Sequence, residues 1–192
     1  MAESDMEDRS TSTMPGGLWT QPSVSVPDIG DGEVIQRITE PASLHYSYTP
    51  GRAPTRFLRG LAEGKLLGGR AEGHDAVYPG SRGMDPVAAR PTVESVEVGP
   101  DATVTAFCIV HIGFGEKAPP TPFVSALILP DGAAASMYGT VLGIPYEEVR
   151  IGMRVRPVWV PEEELGLTSE NITHWEPTGE PDVPAEQLKG HM

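Results

Sequence analysis

Five histidines, one cysteine and a handful of arginines carry whatever chemistry this chain can do. The histidines are His45, His74, His111, His174 and His191, and none falls in an HExxH or paired-ligand spacing. Cys108 sits inside the apolar run TVTAFCIVHI, where a free cysteine reads as a small core residue. His111 follows three residues later. Residues three apart on a strand face opposite ways, so no Cys–His nucleophile pair is expected; His111 reads as a surface or core-edge residue. Gly60-Leu-Ala-Glu-Gly64-Lys65 falls short of a phosphate loop, since the glycines are too close and Leu66 stands where Ser or Thr belongs. Arg154 and Arg156, two apart on a strand, share a face. Arg70 and Arg82 flank a Gly-rich loop. These four arginines would suit a phosphorylated ligand; the competing reading pairs them with the chain's many carboxylates. No residue is expected to be catalytic.

The elements that position these groups are mostly strands. Between Thr103 and Trp159 the chain reads TVTAFCIVHI, TPFVSALIL, AASMYGTVLG and GMRVRPVWV, each fenced by Pro or Gly. Short β-branched runs bounded by turn residues predict successive antiparallel strands. Four or five of them in so short a stretch predict a small closed barrel, because closure removes unpaired edges. Val93-Glu-Ser-Val-Glu-Val98 alternates and leads into this block. Pro145–Arg150 reads as a short helical turn.

Upstream, Thr55 to Glu63 reads as a short helix, with Thr55 as N-cap and Gly64 as the stop. Phe57, Leu58 and Leu61 form one stripe. Alone the helix is too short to be stable, so the stripe must dock on the barrel or on another chain; the aromatics His45, Tyr46 and Tyr48 and the polar arm before them favour another chain. Residues 66–92 are almost all turn signals and predict a loop with no core of its own. Residues 1–40 predict a largely disordered arm, and 163–192 an extended acidic tail with Leu165, Leu167, Ile172 and Trp175 as anchors. The sequence thus divides into the arm, a helix-and-loop region over 41–92, a barrel over 93–162 and the tail.

The 192 residues suit one domain with extensions. The formal charge of −13, from 14 basic and 27 acidic side chains, lowers the expectation of a nucleic-acid partner, whose affinity comes from Lys and Arg on phosphates. One cysteine excludes a disulfide framework and a cysteine-only zinc site. No secretory h-region opens the chain, and no run reaches the roughly 18 apolar residues of a membrane span. A cytoplasmic location with no membrane contact is expected, where the sequon Asn171-Ile172-Thr173 has no glycosylation role.

Several stretches together resemble a known family. They are Tyr48-Thr-Pro-Gly51, Phe57-Leu-Arg-Gly-Leu61 running on to Leu66 and Arg70, Val77-Tyr-Pro79, Pro120-x-Pro-Phe-Val124, Leu142-Gly-Ile144 and Val149-Arg-Ile-Gly-Met-Arg-Val155. The chain is similar over about residues 42–185 to the acyl-CoA-associated OB-fold family, in which a helical segment and a rubredoxin-like zinc ribbon precede an OB barrel. Glu170-Asn-Ile-Thr-His-Trp175 and Pro177-Thr-Gly-Glu-Pro-Asp182 resemble the branch that partners sterol-carrier-type thiolases and aldolases of steroid side-chain degradation.

The resemblance implies a mainly β fold and an accessory subunit of a thiolase-like enzyme in a hetero-oligomer. Carbon–carbon chemistry on an acyl-CoA would take place in the enzyme, with no cofactor held tightly here. It places Ala71, His74, Met84 and Val87 where the family has its two CxxC pairs. None is Cys, and one His does not hold tetrahedral zinc, so a degenerate, metal-free ribbon-like loop is expected. Phe57, Leu58, Leu61 and Leu66 would face the partner, and Arg70, His74 and Arg82 would meet CoA. The alternative is a free-standing OB-fold binder of single-stranded nucleic acid, with Phe107, Phe114, Phe123 and Tyr138 to stack bases. An independent enzyme would rest on His111 and the acidic tail alone.

Overall fold

The structure is a computed structural model that describes residues 44–80, 82–113 and 119–191. The chain divides into two units, Met1–Tyr48 and Thr49–Met192. In the first, Leu44, Tyr46 and Tyr48 are exposed, with the two tyrosine rings 5.9 Å apart. The arm expected over 1–40 lies outside the described residues, as does Phe114.

The second unit opens with helix α1 (Arg52–Ala62), which begins three residues earlier than expected. Gly51 is the N-cap, and the Thr55 hydroxyl donates back to the Gly51 carbonyl at 2.5 Å. Gly64 ends the helix as its composition suggests. Its φ is 70°, its N–H donates to the Leu61 carbonyl, and the Lys65 N–H reaches the Gly60 carbonyl at 2.8 Å; this pair of bonds satisfies the last helical carbonyls.

Four strands follow: β1 (Leu67–Ala71), β2 (Val77–Pro79), β3 (Met84–Asp85) and β4 (Arg90–Glu97). They form an antiparallel sheet in the order β2-β1-β4-β3. This corrects two expectations. The stretch 66–92 is not a coreless loop: Leu66, Ala71, Val77, Tyr78 and Asp85 are all buried. The alternating run at 93–98 leads out of this sheet rather than opening the barrel. Gly68 and Gly69, read as turn residues, sit mid-strand because neighbours crowd them. A Cβ at Gly68 would stand 2.5 Å from Val77 Cγ1, and one at Gly69 2.8 Å from Thr92 Cβ.

The barrel comprises β5 (Ala102–Val110), β6 (Phe123–Pro130), β7 (Met137–Val141), β8 (Arg154–Trp159) and β9 (Ile172–Pro177). Its order is β5-β6-β7-β9-β8, closed by pairing of β8 with β5. Strands β7 and β9 run parallel where Val141 meets Trp175, and the other neighbours are antiparallel. β6 alternates perfectly, with Val124, Ala126, Ile128 and Pro130 inward. β5 shifts register between Val104 and Ala106. The buried Thr105 hydroxyl there donates to the Leu127 carbonyl at 3.1 Å.

The fifth strand lies where an extended tail was expected. Trp175, 1% exposed, is the largest fully buried side chain among the described residues. Asn171, the sequon residue, is buried just before it. Its amide group both donates to the Gly166 carbonyl, at 2.6 Å, and accepts from the Gly166 N–H, at 3.1 Å, holding the turn that feeds β9.

The segment after β9 is also tied down. The Val183 N–H donates to the Gly152 carbonyl at 2.8 Å, and Arg150 holds Asp182 through two nitrogens. Gly152 has φ 91°, and a Cβ there would stand 2.5 Å from the Val183 carbonyl oxygen. Gly152→Ala is therefore expected to cost roughly 1–3 kcal/mol of backbone strain plus whatever the 182–183 segment loses by moving away. A urea denaturation series reads this as a lower midpoint; an unchanged midpoint would show that the contact carries no stability.

Candidate functional site

The helix stripe faces inward. Leu61 and Leu66 are 1% and 3% exposed, and Phe57 and Leu58 pack half-buried against the same core. The stripe expected to meet a partner thus covers this chain's own core, which corrects the assignment of Leu61 and Leu66 to an outer interface. An apolar stripe reads the same in a sequence whichever core it covers.

The ribbon region is pinned by a hydrogen-bonded pair. His74 Nδ1 hydrogen-bonds Asp85 Oδ2, joining the β1–β2 turn to β3. Asp85 Oδ1 accepts from the Val87 and Ala88 N–H groups, both at 2.8 Å. Asp85 is wholly buried. Burial pushes its carboxyl up, but the Ala88 and Val87 N–H groups and His74 outweigh that and hold it below the usual carboxylate range. Tyr78 lies beside it, and burial, then the Asp85 charge, raise the phenol above its ordinary value.

These residues do not fit a zinc ion. Ala71 is buried and has no ligating atom, while Met84 and Val87 are 58% and 76% exposed. His74 already faces a carboxylate. Among the described residues no group of three or more His, Cys, Asp or Glu is placed to hold a metal.

The expected CoA-binding residues are not brought together as a cationic cradle. Arg70 is clamped by Glu94 through bonds of 2.9 and 2.8 Å. That hydrogen bond, ahead of the charge itself, holds the Glu94 carboxyl down. His74 is committed to Asp85. Arg82 has no carboxylate in ion-pair distance among the described residues. The second rim dissolves in the same way. Arg154, 13% exposed at its side chain, grips Asp131 at 2.7 and 2.6 Å and touches Glu180, and Arg156 faces Asp101 at 3.4 Å. Arg154 also donates to Thr103 Oγ1 at 2.9 Å, so it ties β8 to β5 at the barrel seam.

Nor do Phe107 and Phe123 share a surface. Phe107 packs against the core. Phe123 pairs with Val110, three residues along β5, and so lies on the opposite face. Cys108 is exposed, against its reading as a core residue, because β5 outruns the core: Ile109 beside it is also exposed. His111 is exposed, as expected.

One feature escaped the sequence reading. α1 carries Arg52, Arg56 and Arg59 at a spacing that puts them on neighbouring turns. With Gly83, Pro91, Thr92 and Val93 the first two line a groove of about 490 Å³. The Arg56 guanidinium donates across it to the Thr92 carbonyl at 2.9 Å. A second hollow of about 240 Å³ lies between α1 and β9, floored by Phe57, Leu61 and Trp175 and rimmed by His174. His174 is held on both sides, by Thr173 Oγ1 at 2.9 Å and Glu176 Oε1 at 3.0 Å.

The strand order with one parallel pair is that of an OB barrel. Residues 95–160 match the family model of the ChsH2 C-terminal OB-fold domain. Over those residues the chain is similar to that family. The match stops short of β9, which lies between β7 and β8 in the barrel. Among solved structures, a chain described as Ltp2-ChsH2(DUF35) aldolase superposes with a TM-score of 0.51 at 18% identity, over 66% of this chain and 95% of that one. A DUF35-family protein of unknown function from Sulfolobus solfataricus gives 0.48 at 19% identity, over 56% and 78%. Comparison with curated proteins returns no match. Among the described residues no helix is long and apolar enough to cross a membrane.

Proposed function

We propose that this chain is a non-catalytic accessory subunit of a thiolase-fold enzyme, of the steroid side-chain aldolase or thiolase kind. The observation that carries this reading is the ChsH2-type OB barrel at residues 95–160. The name of the 18%-identical structure, an Ltp2-ChsH2(DUF35) aldolase, supports the same assignment. The side chains agree with it. Cys108 is exposed near the end of β5 and His111 just beyond it, with no hydrogen bond between them among the described residues, and the arginines of the barrel and of β1 are spent on carboxylates.

In this reading acyl-CoA is the substrate of the complex rather than a cofactor of this subunit, and the complex works in the cytoplasm without nucleic acid or membrane. The subunit borders the CoA channel. Arg82 is the residue of the expected trio left to meet a CoA phosphate, since Arg70 and His74 are engaged. Co-expression with a sterol-carrier-type thiolase or aldolase from the same genome tests the proposal. A stable hetero-oligomer is expected, with carbon–carbon cleavage or ligation of an acyl-CoA that the enzyme alone performs at least tenfold more slowly. Equal activity with and without this chain would overturn it. Arg82→Ala should raise KM for the acyl-CoA several-fold with little change in kcat, as loss of a binding contact does.

A further inference from the structure

Among the described residues several arginines have no carboxylate partner, and three of them lie on one helix. Arg70, Arg150, Arg154 and Arg156 each face a carboxylate. Arg52, Arg56 and Arg59 do not: among the described residues no carboxylate lies within ion-pair distance of any of them. In a chain with 27 acidic and 14 basic residues, three neighbouring unpaired arginines form a local inversion of charge. Like charges at this helical spacing repel one another.

Apolar surface adjoins them. Val93 is 62% exposed on β4 and Met84 58% exposed on β3, and Met84 lies opposite Pro91 in the sheet register. Pro91 and Val93 line the groove that Arg52 and Arg56 also line. Arg56 is already oriented by its bond to the Thr92 carbonyl. Oriented arginine beside exposed aliphatic side chains is the composition of an interface centre rather than of a solvated face. A bare phosphate would use the arginines and leave the aliphatic side chains uncovered; a protein segment uses both.

We propose that the face made by α1 and the β3–β4 edge docks an acidic segment of the partner enzyme, one in which carboxylates flank an apolar side chain. Its carboxylates would meet Arg52, Arg56 and Arg59, and its apolar side chain would sit on Met84 and Val93. This rests on the accessory-subunit reading and replaces the inward-facing helix stripe as the docking surface.

The test uses the full chain and the thiolase-fold enzyme that purifies with it in equal amount, with affinity measured by titration calorimetry at two salt concentrations. The double variant Arg52→Glu/Arg59→Glu changes exposed side chains, and circular dichroism checks that it folds. It should bind the enzyme at least about tenfold more weakly and with a flatter salt dependence. Val93→Asp, on the apolar side, should also weaken binding. Lysines placed at the enzyme's contacting carboxylates should restore binding to the double variant. Undiminished affinity in both variants would overturn this docking face while leaving the accessory-subunit reading in place. A wild-type chain that binds no such enzyme would overturn that reading itself. Loss of self-association or of inorganic triphosphate binding, with enzyme affinity unchanged, would assign the face to a second copy or to a polyphosphate and would also overturn the proposal.

Discussion

Trp175→Ala is expected to cost about 3–5 kcal/mol, the usual loss for truncating a large buried aromatic side chain. That is a large part of the roughly 5–15 kcal/mol that holds a typical domain folded. The reason is position as much as size. Trp175 sits on β9, opposite Pro157 of β8 and next to Val141 of β7, where β9 joins those two strands. The site is tight: a Cβ at Gly139 would stand 2.6 Å from the indole and 2.7 Å from Ile128 Cδ1. Gly139→Ala should therefore cost about 1–3 kcal/mol by overpacking the same point from the other side. Ending the chain after Val160 removes the strand altogether and should leave no cooperative unfolding transition. Chemical denaturation followed by far-ultraviolet circular dichroism reads all three. A loss below about 1 kcal/mol for Trp175→Ala would mean that β9 is an appendage and not a barrel stave.

Removing the Asp85 carboxylate is the second large effect. Asp85→Ala leaves the Val87 and Ala88 N–H groups without their acceptor and His74 without its hydrogen-bond partner. Breaking a buried, hydrogen-bonded charge network in this way should lower the melting temperature by on the order of 10 °C. Asp85→Asn, which keeps an acceptor for the two N–H groups, should lose less. The pH dependence has a fixed sign. The folded Asp85 carboxyl is held below its ordinary value. Its contribution is therefore fully present above the ordinary carboxylate pKa of about 4 and is lost as pH falls through the lower folded value. The wild type should weaken on acidification through that window, and Asp85→Ala should weaken less. Chelators should leave the wild-type melting temperature unchanged. Stoichiometric zinc in the purified protein would contradict the assignment of this role to His74 and Asp85.

The parts of the fold that local pattern dictates were legible. β6, read as the apolar run TPFVSALIL fenced by prolines, is a strand, and its residues alternate in burial. Gly64 stops α1 because only a positive φ completes those two backbone bonds. What was not legible depends on contacts far apart in sequence. Ile172–Pro177 has six residues, an acidic setting and weak alternation, and becomes a strand only when β7 and β8 flank it. Met84-Asp85-Pro86 reads as a turn, and nothing local says that Asp85 points inward to His74. Gly68-Gly69 reads as flexible, whereas its purpose is to let Val77 and Thr92 approach. Cys108 was placed inside because its neighbours are apolar, but β5 continues past the core that would cover it. The candidate site was the hardest to see. Arg52 fell outside the helix expected from Thr55, and the lack of carboxylate partners at Arg52, Arg56 and Arg59 is a property of the folded chain.

The most direct measurement is the mass and activity of what this chain assembles with. The tagged full chain is co-expressed with the sterol-carrier-type enzyme, purified, and weighed by light scattering, and the complex is assayed on an acyl-CoA against the enzyme alone. A defined hetero-oligomer with equal amounts of the two chains, and activity that depends on this subunit, is the expected result. A lone chain beside a fully active enzyme would contradict it.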